Sequence, residues 1–167
     1  MNFFKKFKDI PQFFDRHNLV FYFFVAVPLG FFVFIYLKNK AILENNFLIE
    51  DGLYYYKMSL IIIALVEMLV AEFMSKGMLK RVRADLSMND KLARYLMASL
   101  IRYVGYFSAA VFMLLGLFVF MEGIFAATYI VVLFLISLIR PTKPRMIKSG
   151  IFSKEEIQVI ENDGVVK

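Results

Sequence analysis

The chain has 167 residues, 60% of them apolar and 17% aromatic, with a formal net charge of +6 and a mean hydropathy of +0.66. Water-soluble domains carry about 45–50% apolar residues, so this composition excludes a soluble domain and a disordered chain, and it predicts an all-α integral membrane protein. With no cysteine and one histidine, the sequence also excludes disulfides, iron–sulfur clusters, cysteine-ligated zinc and a bis-histidine haem within one chain.

Residues 1–17 read as an interfacial amphipathic segment. Phe3, Phe4, Phe7, Ile10 and Phe14 fall close to one helical face, while Lys5, Lys6, Lys8 and Asp9 fall away from it. The apolar face is expected to lie in the cytoplasmic leaflet, and Pro11 to limit or bend the helix. Four apolar stretches follow, each near the ~20 residues that cross a bilayer core of ~30 Å. The first, 18–37, carries no charge. Its length, and the lack of a small-residue cleavage pattern behind it, argue against a secretory signal. Pro28 and Gly30 predict a kink in its middle. A short polar outer loop then ends in Tyr54, Tyr55 and Tyr56, which fit an aromatic belt at the headgroup level.

The second stretch, 56–75, contains Glu67 and Glu72. A charged connection from Lys76 to Leu96 follows, too polar to span and expected to hold a short interfacial helix. The third, 97–121, contains Arg102, and a tight hairpin at Glu122-Gly123 leads into the fourth, 123–139. These stretches are continuously apolar and do not alternate, which predicts helices and not a barrel. Residues 18–140 are therefore expected to form a four-transmembrane-helix bundle.

Residues 141–167 read as a cytoplasmic basic strap and a short helix. Pro141 and Pro144 favour extended backbone. Ser153 at the N-cap and Glu156 three residues on spell a capping box, Phe152 and Ile157 take the hydrophobic-staple positions, and Asp163-Gly164 supplies the stop. A helix of roughly nine residues is too short to stand alone in water, so it must rest on its own chain, the bilayer or a partner.

Most of the 20 basic residues fall in the N-terminal segment, the connection between the second and third spans, and the tail. By the positive-inside rule both termini are expected in the cytoplasm. Membrane topology then accounts for the positive charge, and no nucleic-acid partner is invoked. A basic patch of Lys80, Arg81, Arg83, Arg140, Lys143 and Arg145 is expected to meet anionic headgroups or a partner.

Ionisable residues within apolar spans are costly and mark structural or functional sites. Glu72 and Arg102 lie about equally far inward from the cytoplasmic ends of two antiparallel helices, so they are expected to form an intramembrane ion pair. Gly105, Ala109 and Gly116 share a face with Arg102, and small residues let helices approach closely in lipid. Glu67 has no cation at its depth. With Ser108 and Tyr106 opposite, it is the candidate proton or ion site. Glu67 and Glu72 point about 140° apart around the helix, which argues against a paired-carboxylate hydrolase.

No catalytic constellation, metal site or cofactor motif is evident. The leading functional expectation is a non-catalytic small subunit or scaffold of a bacterial inner-membrane complex, associating with other membrane subunits or with copies of itself. The alternative is a small proton- or ion-coupled transporter that uses Glu67.

Overall fold

The computed structural model describes residues 7–38 and 53–166. The expectations for Phe3, Phe4, Lys5, Lys6 and most of the outer loop lie outside the described residues. The protein is all-helical, with α1 (Ile10–Lys38), α2 (Tyr54–Lys80), α3 (Met88–Phe120), α4 (Gly123–Leu138), α5 (Lys143–Ile147) and α6 (Lys154–Glu161). The sole β feature among the described residues is an isolated antiparallel bridge between Asp9 and Val165. Helices α1, α2 and α3 are long and apolar enough to cross a membrane. Helix α4 is apolar but has only 16 residues, a length of about 24 Å.

Local chemistry sets the boundaries. Asp9 Oδ1 accepts a hydrogen bond from the Gln12 amide at 2.8 Å and so caps α1. Pro11 falls in the first turn, where its missing N–H forfeits nothing. The helix therefore starts before Pro11 and runs unbroken through Pro28, so no boundary separates the expected amphipathic segment from the first span. Helices α2 and α3 both overrun their expected spans. Only residues 81–87 connect them, and the expected separate interfacial helix is replaced by these extensions. Ser87 starts α3 by accepting from the Asp90 amide at 3.2 Å and donating to Asp90 Oδ2 at 2.7 Å. The hairpin into α4 turns on Met121, whose φ of 53° is left-handed, and on the extended Glu122. Thr142 is extended, but Lys143–Ile147 forms the short helix α5 in place of the expected extended strap, because Pro144 sits in its first turn. The Ser153–Glu156 capping box is formed in both directions at the start of α6.

The chain divides into two compact bodies. The first draws on residues up to Tyr22, Glu72–Arg102 and Arg140 onward. Its core gathers Phe7, Ile10 and Phe13 with Leu92, Tyr95 and Leu96 of α3, Met146 of α5 and Ile160 of α6. Here the two ends of the chain are joined. The Ile10 amide donates to the Gly164 carbonyl at 3.2 Å, and the Val166 amide donates to the Lys8 carbonyl at 2.9 Å. The Phe7 amide donates to Asn89 Oδ1 at 2.9 Å, which ties the same segment to α3. Lys91 Nζ reaches both carboxylate oxygens of Glu156, at 3.0 and 2.9 Å. Phe7 and Ile10, expected to face the leaflet, are buried in this core instead. The apolar face is real, but the chain's own C-terminal segment and α3 cover it.

The second body comprises residues 23–71 and 103–139, of which 39–52 are not described. Aromatic and small residues tie its four helices together. Phe32 of α1 stacks on Tyr129 of α4, with ring centres 4.6 Å apart. Phe24 of α1 meets Phe107 of α3 edge-on at 5.5 Å. On α2 the usual distribution of residues is inverted: Ala64, Met68 and Ala71 are buried, whereas Leu65, Val66, Val70 and Leu69 (70% exposed) face outward. Small residues inside and large aliphatics outside is how helices pack when the surrounding solvent is as apolar as the side chains.

If the first body depends on its core, trimming α6 should loosen the segment before α1. Ile160→Ala is expected to cost about 2–4 kcal/mol and to speed proteolysis around Lys8 and Arg16. Thermal unfolding in detergent and limited trypsin digestion read both, with the exposed Gln158→Ala as a control expected near wild type.

Candidate functional site

The costly polar groups sort into three places, each within one body. In the first body, Glu72 on α2 is held between two cations. Arg102 Nε of α3 lies 3.0 Å from Oε2, and Lys76 Nζ, one turn along α2, lies 3.1 Å from Oε1. The Arg102 N–H is not aligned with the oxygen, so the contact is an ion pair and not a hydrogen bond. Both oxygens of Glu72 thus face positive charge. This arrangement neutralises the group and fixes the α2–α3 register, and it leaves no uncommitted oxygen for acid–base work.

In the second body, Glu67 is half-buried, and its Oε2 is enclosed without a hydrogen-bond donor. The Ser108 and Tyr106 side chains of α3 are half-buried. The Ser108 hydroxyl makes no hydrogen bond to Glu67 among the described residues, so the expected three-residue set is not joined there. Gly105 explains how close the two helices come. A Cβ added to it would overlap the Ala71 methyl and stand 3.3 Å from the Glu67 carbonyl oxygen. Ala109 is fully buried. Gly116 faces a different neighbour, since a Cβ there would overlap the Phe125 ring of α4. The three small residues of α3 therefore do not serve one interface: Gly105 admits α2 and Gly116 admits α4.

The third place went unnoticed in the sequence. Lys57, near the start of α2, forms a buried ion pair with Glu122, the N-cap of α4. The Lys57 ammonium also lies 5.6 Å from the centre of the Phe120 ring. A signal existed: Lys57 and Glu122 stand at the same end of antiparallel apolar stretches and carry opposite charges. Lys91, within the charged connection after the second span, and Glu156 of the capping box form a further ion pair between distant segments.

The expected basic patch divides. Lys80, Arg81, Arg83 and Arg140 are exposed, whereas Lys143 and Arg145 are half-buried. Arg83 is paired with Asp85 at 2.8 Å, and the Arg140 guanidinium lies 5.7 Å over the Tyr22 ring. Lys143 holds Asp163 at 2.7 Å, and one Arg145 nitrogen is enclosed by protein. The last two therefore serve the fold. On α6, hydrogen bonds with its own backbone and with the Ser153 hydroxyl hold the Glu155 carboxyl below the usual carboxylate range. Among the described residues, no three His, Asp or Glu side chains gather as they would around a metal ion.

No protein family, curated protein or solved structure matches this chain.

The Glu72–Arg102 pair can be weighed by a double-mutant cycle. Arg102→Gln and Glu72→Gln are each expected to lower the unfolding temperature. The double variant should be more stable than the sum of the single losses predicts, by about 1 kcal/mol. Strict additivity would mean that the ion pair contributes nothing. For the more buried pair, Lys57→Met should be worse than Lys57→Met combined with Glu122→Gln, because the single change strands a buried carboxylate.

Proposed function

We propose that the protein is a four-pass membrane protein with both termini on the cytoplasmic side, acting as a non-catalytic subunit or scaffold of a bacterial inner-membrane complex. The observation that carries this reading is the hydrogen bonding of Phe7 to Asn89 and of Lys8 to Val166 within one body. Segments that are hydrogen-bonded to one another outside the apolar runs lie on one side of a membrane. The chain therefore crosses an even number of times between Lys8 and Asn89, and again between Asn89 and Val166. Helices α1 and α2 supply the first two crossings. Helix α3 then needs a partner, and α4 is the remaining apolar helix.

At about 24 Å, α4 falls short of a ~30 Å hydrocarbon core, a mismatch that local thinning of the bilayer absorbs. The excess of Lys and Arg in the three segments of the first body supports a cytoplasmic location for it. A scaffold role is supported by that body having its own core and a buried ion pair, so that it presents a fixed surface beneath the membrane. The exposed face of α6, with Lys154, Glu155, Gln158 and Glu161, forms part of that surface.

Topology is directly testable because the chain has no cysteine. Single-cysteine variants Lys8→Cys, Ala84→Cys and Asn162→Cys should react with an impermeant maleimide only in inverted vesicles. Tyr55→Cys and Met121→Cys should react only in intact cells. Labelling of Ala84→Cys and Asn162→Cys from opposite sides would remove the four-crossing reading. For the scaffold, affinity purification from the native host in mild detergent, followed by native mass determination, should return unrelated subunits in whole-number ratio. A monomer or a pure homo-oligomer would exclude it.

A second reading, a proton- or ion-coupled transporter, is favoured by one observation: the enclosed, donorless Oε2 of Glu67 in an apolar helix. It requires that Glu67→Gln fold normally and abolish flux in reconstituted vesicles.

A further inference from the structure

The first body holds a cation without a counter-charge. Arg145 lies on α5 next to Met146, which is completely buried in the core, and the arginine is half-buried with it. Its Nη1 nitrogen is enclosed and has no hydrogen-bond partner. Two residues earlier, Lys143 is answered by Asp163 at 2.7 Å. Among the described residues no carboxylate answers Arg145, and Glu72, Asp85, Glu156 and Asp163 are each paired with another cation. The residues of this body that are not described, 1–6 and 167, include no Asp or Glu. A charge withdrawn from water is costly unless it is paired or binds an ion.

A second group points the same way. Tyr95 of α3 is buried, with its ring against Phe13 and His17. Its hydroxyl makes no hydrogen bond to a described residue. The charges of Arg102 and Arg145 both reach this phenol. Arg102 is committed to Glu72, whose other oxygen faces Lys76. That leaves a guanidinium fork and a phenolic O–H, both donors, in one electropositive place. Their complement carries negative charge and several acceptor oxygens, and a phosphate matches the guanidinium best.

We propose that Arg145 and the Tyr95 hydroxyl hold a phosphate group, which supplies the counter-charge that the chain itself does not. Two sources share this chemistry. Tyr95 stands just before the apolar run 97–121, and Arg145 follows shortly after the run 123–139. In the four-crossing reading these positions lie at the level of the cytoplasmic headgroups, where phospholipid phosphate is abundant. The headgroup source rests on that reading. Free phosphate of the cytoplasm does not require it.

The test uses the delipidated full-length protein in maltoside micelles and phosphate-free buffer, titrated separately with inorganic phosphate and with phosphatidylglycerol at constant ionic strength. At least one of the two should raise the unfolding temperature of the wild type. Arg145→Gln should move the midpoint of that titration by about tenfold, and Tyr95→Phe, which keeps the ring in the core, by less. Before any phosphate is added, Arg145→Gln should unfold no earlier than wild type, because it removes an unanswered charge. Arg81→Gln, an exposed cation elsewhere in the same body, should titrate as wild type. An Arg145-dependent response to inorganic phosphate supports the proposal with a soluble ligand, and one confined to phosphatidylglycerol supports it with a headgroup. No response to either would overturn it. So would an equal shift for Arg81→Gln, which marks diffuse attraction, or a loss of stability in Arg145→Gln that is the same with and without phosphate, which marks a purely structural arginine. Release of the protein from membranes by alkaline carbonate would refute the membrane reading and with it the headgroup source, leaving the phosphate titration to stand alone.

Discussion

The structure depends on the closure of the chain upon itself. A few backbone hydrogen bonds between the segments around Lys8 and Val166 would be weak in water, since each exchanges for a bond to solvent. They persist because Ile10 and Ile160 are completely buried beside them, so opening the bridge would also expose the core. The ion pair between Lys91 and Glu156 adds direction: Glu156 caps α6 through the Ser153 amide and receives the α3 lysine with the same carboxylate. One side chain thereby sets both where α6 starts and where it docks.

Much of this architecture can be read from the residues, for identifiable reasons. The helices announce themselves because long uninterrupted apolar runs have no other solution in lipid. The α6 N-terminus is legible because a capping box is a local motif whose partners are three residues apart. Glu72 and Arg102 can be placed level by counting inward from a common turn. The cover of the N-terminal apolar face is not legible. Phe7, Ile10 and Phe13 make the same periodic pattern whether bilayer, partner or distant chain lies over them, and periodicity records only that something does. The Lys57–Glu122 pair escaped for a related reason. It joins the start of one helix to the cap of another two elements later, and finding it requires the arrangement of α2, α3 and α4 together.

The polar groups follow different rules in the two bodies. In the first, charges are paired in numbers, and Glu72 has two cations. In the second, polar side chains are few: Lys57 and Glu122 neutralise each other, and Thr128 and Ser137 return their hydroxyls to carbonyls of their own helix. Glu67, Glu122 and Tyr129 each keep one enclosed oxygen without a hydrogen-bond partner, and of the three Glu67 is the carboxylate with no ion pair among the described residues.

The bond from Val166 to Lys8 also carries a consequence for biogenesis. Translation proceeds at about 5–20 residues per second, so the segment around Lys8 waits roughly ten to thirty seconds for its partner. The bonds between the segments around Lys8 and Val166 therefore form only after all six helices, α1 to α6, have been synthesised. Until then Phe7, Ile10 and Phe13 lack the cover of Met146 and Ile160 and have only the α3 side of their core to pack against.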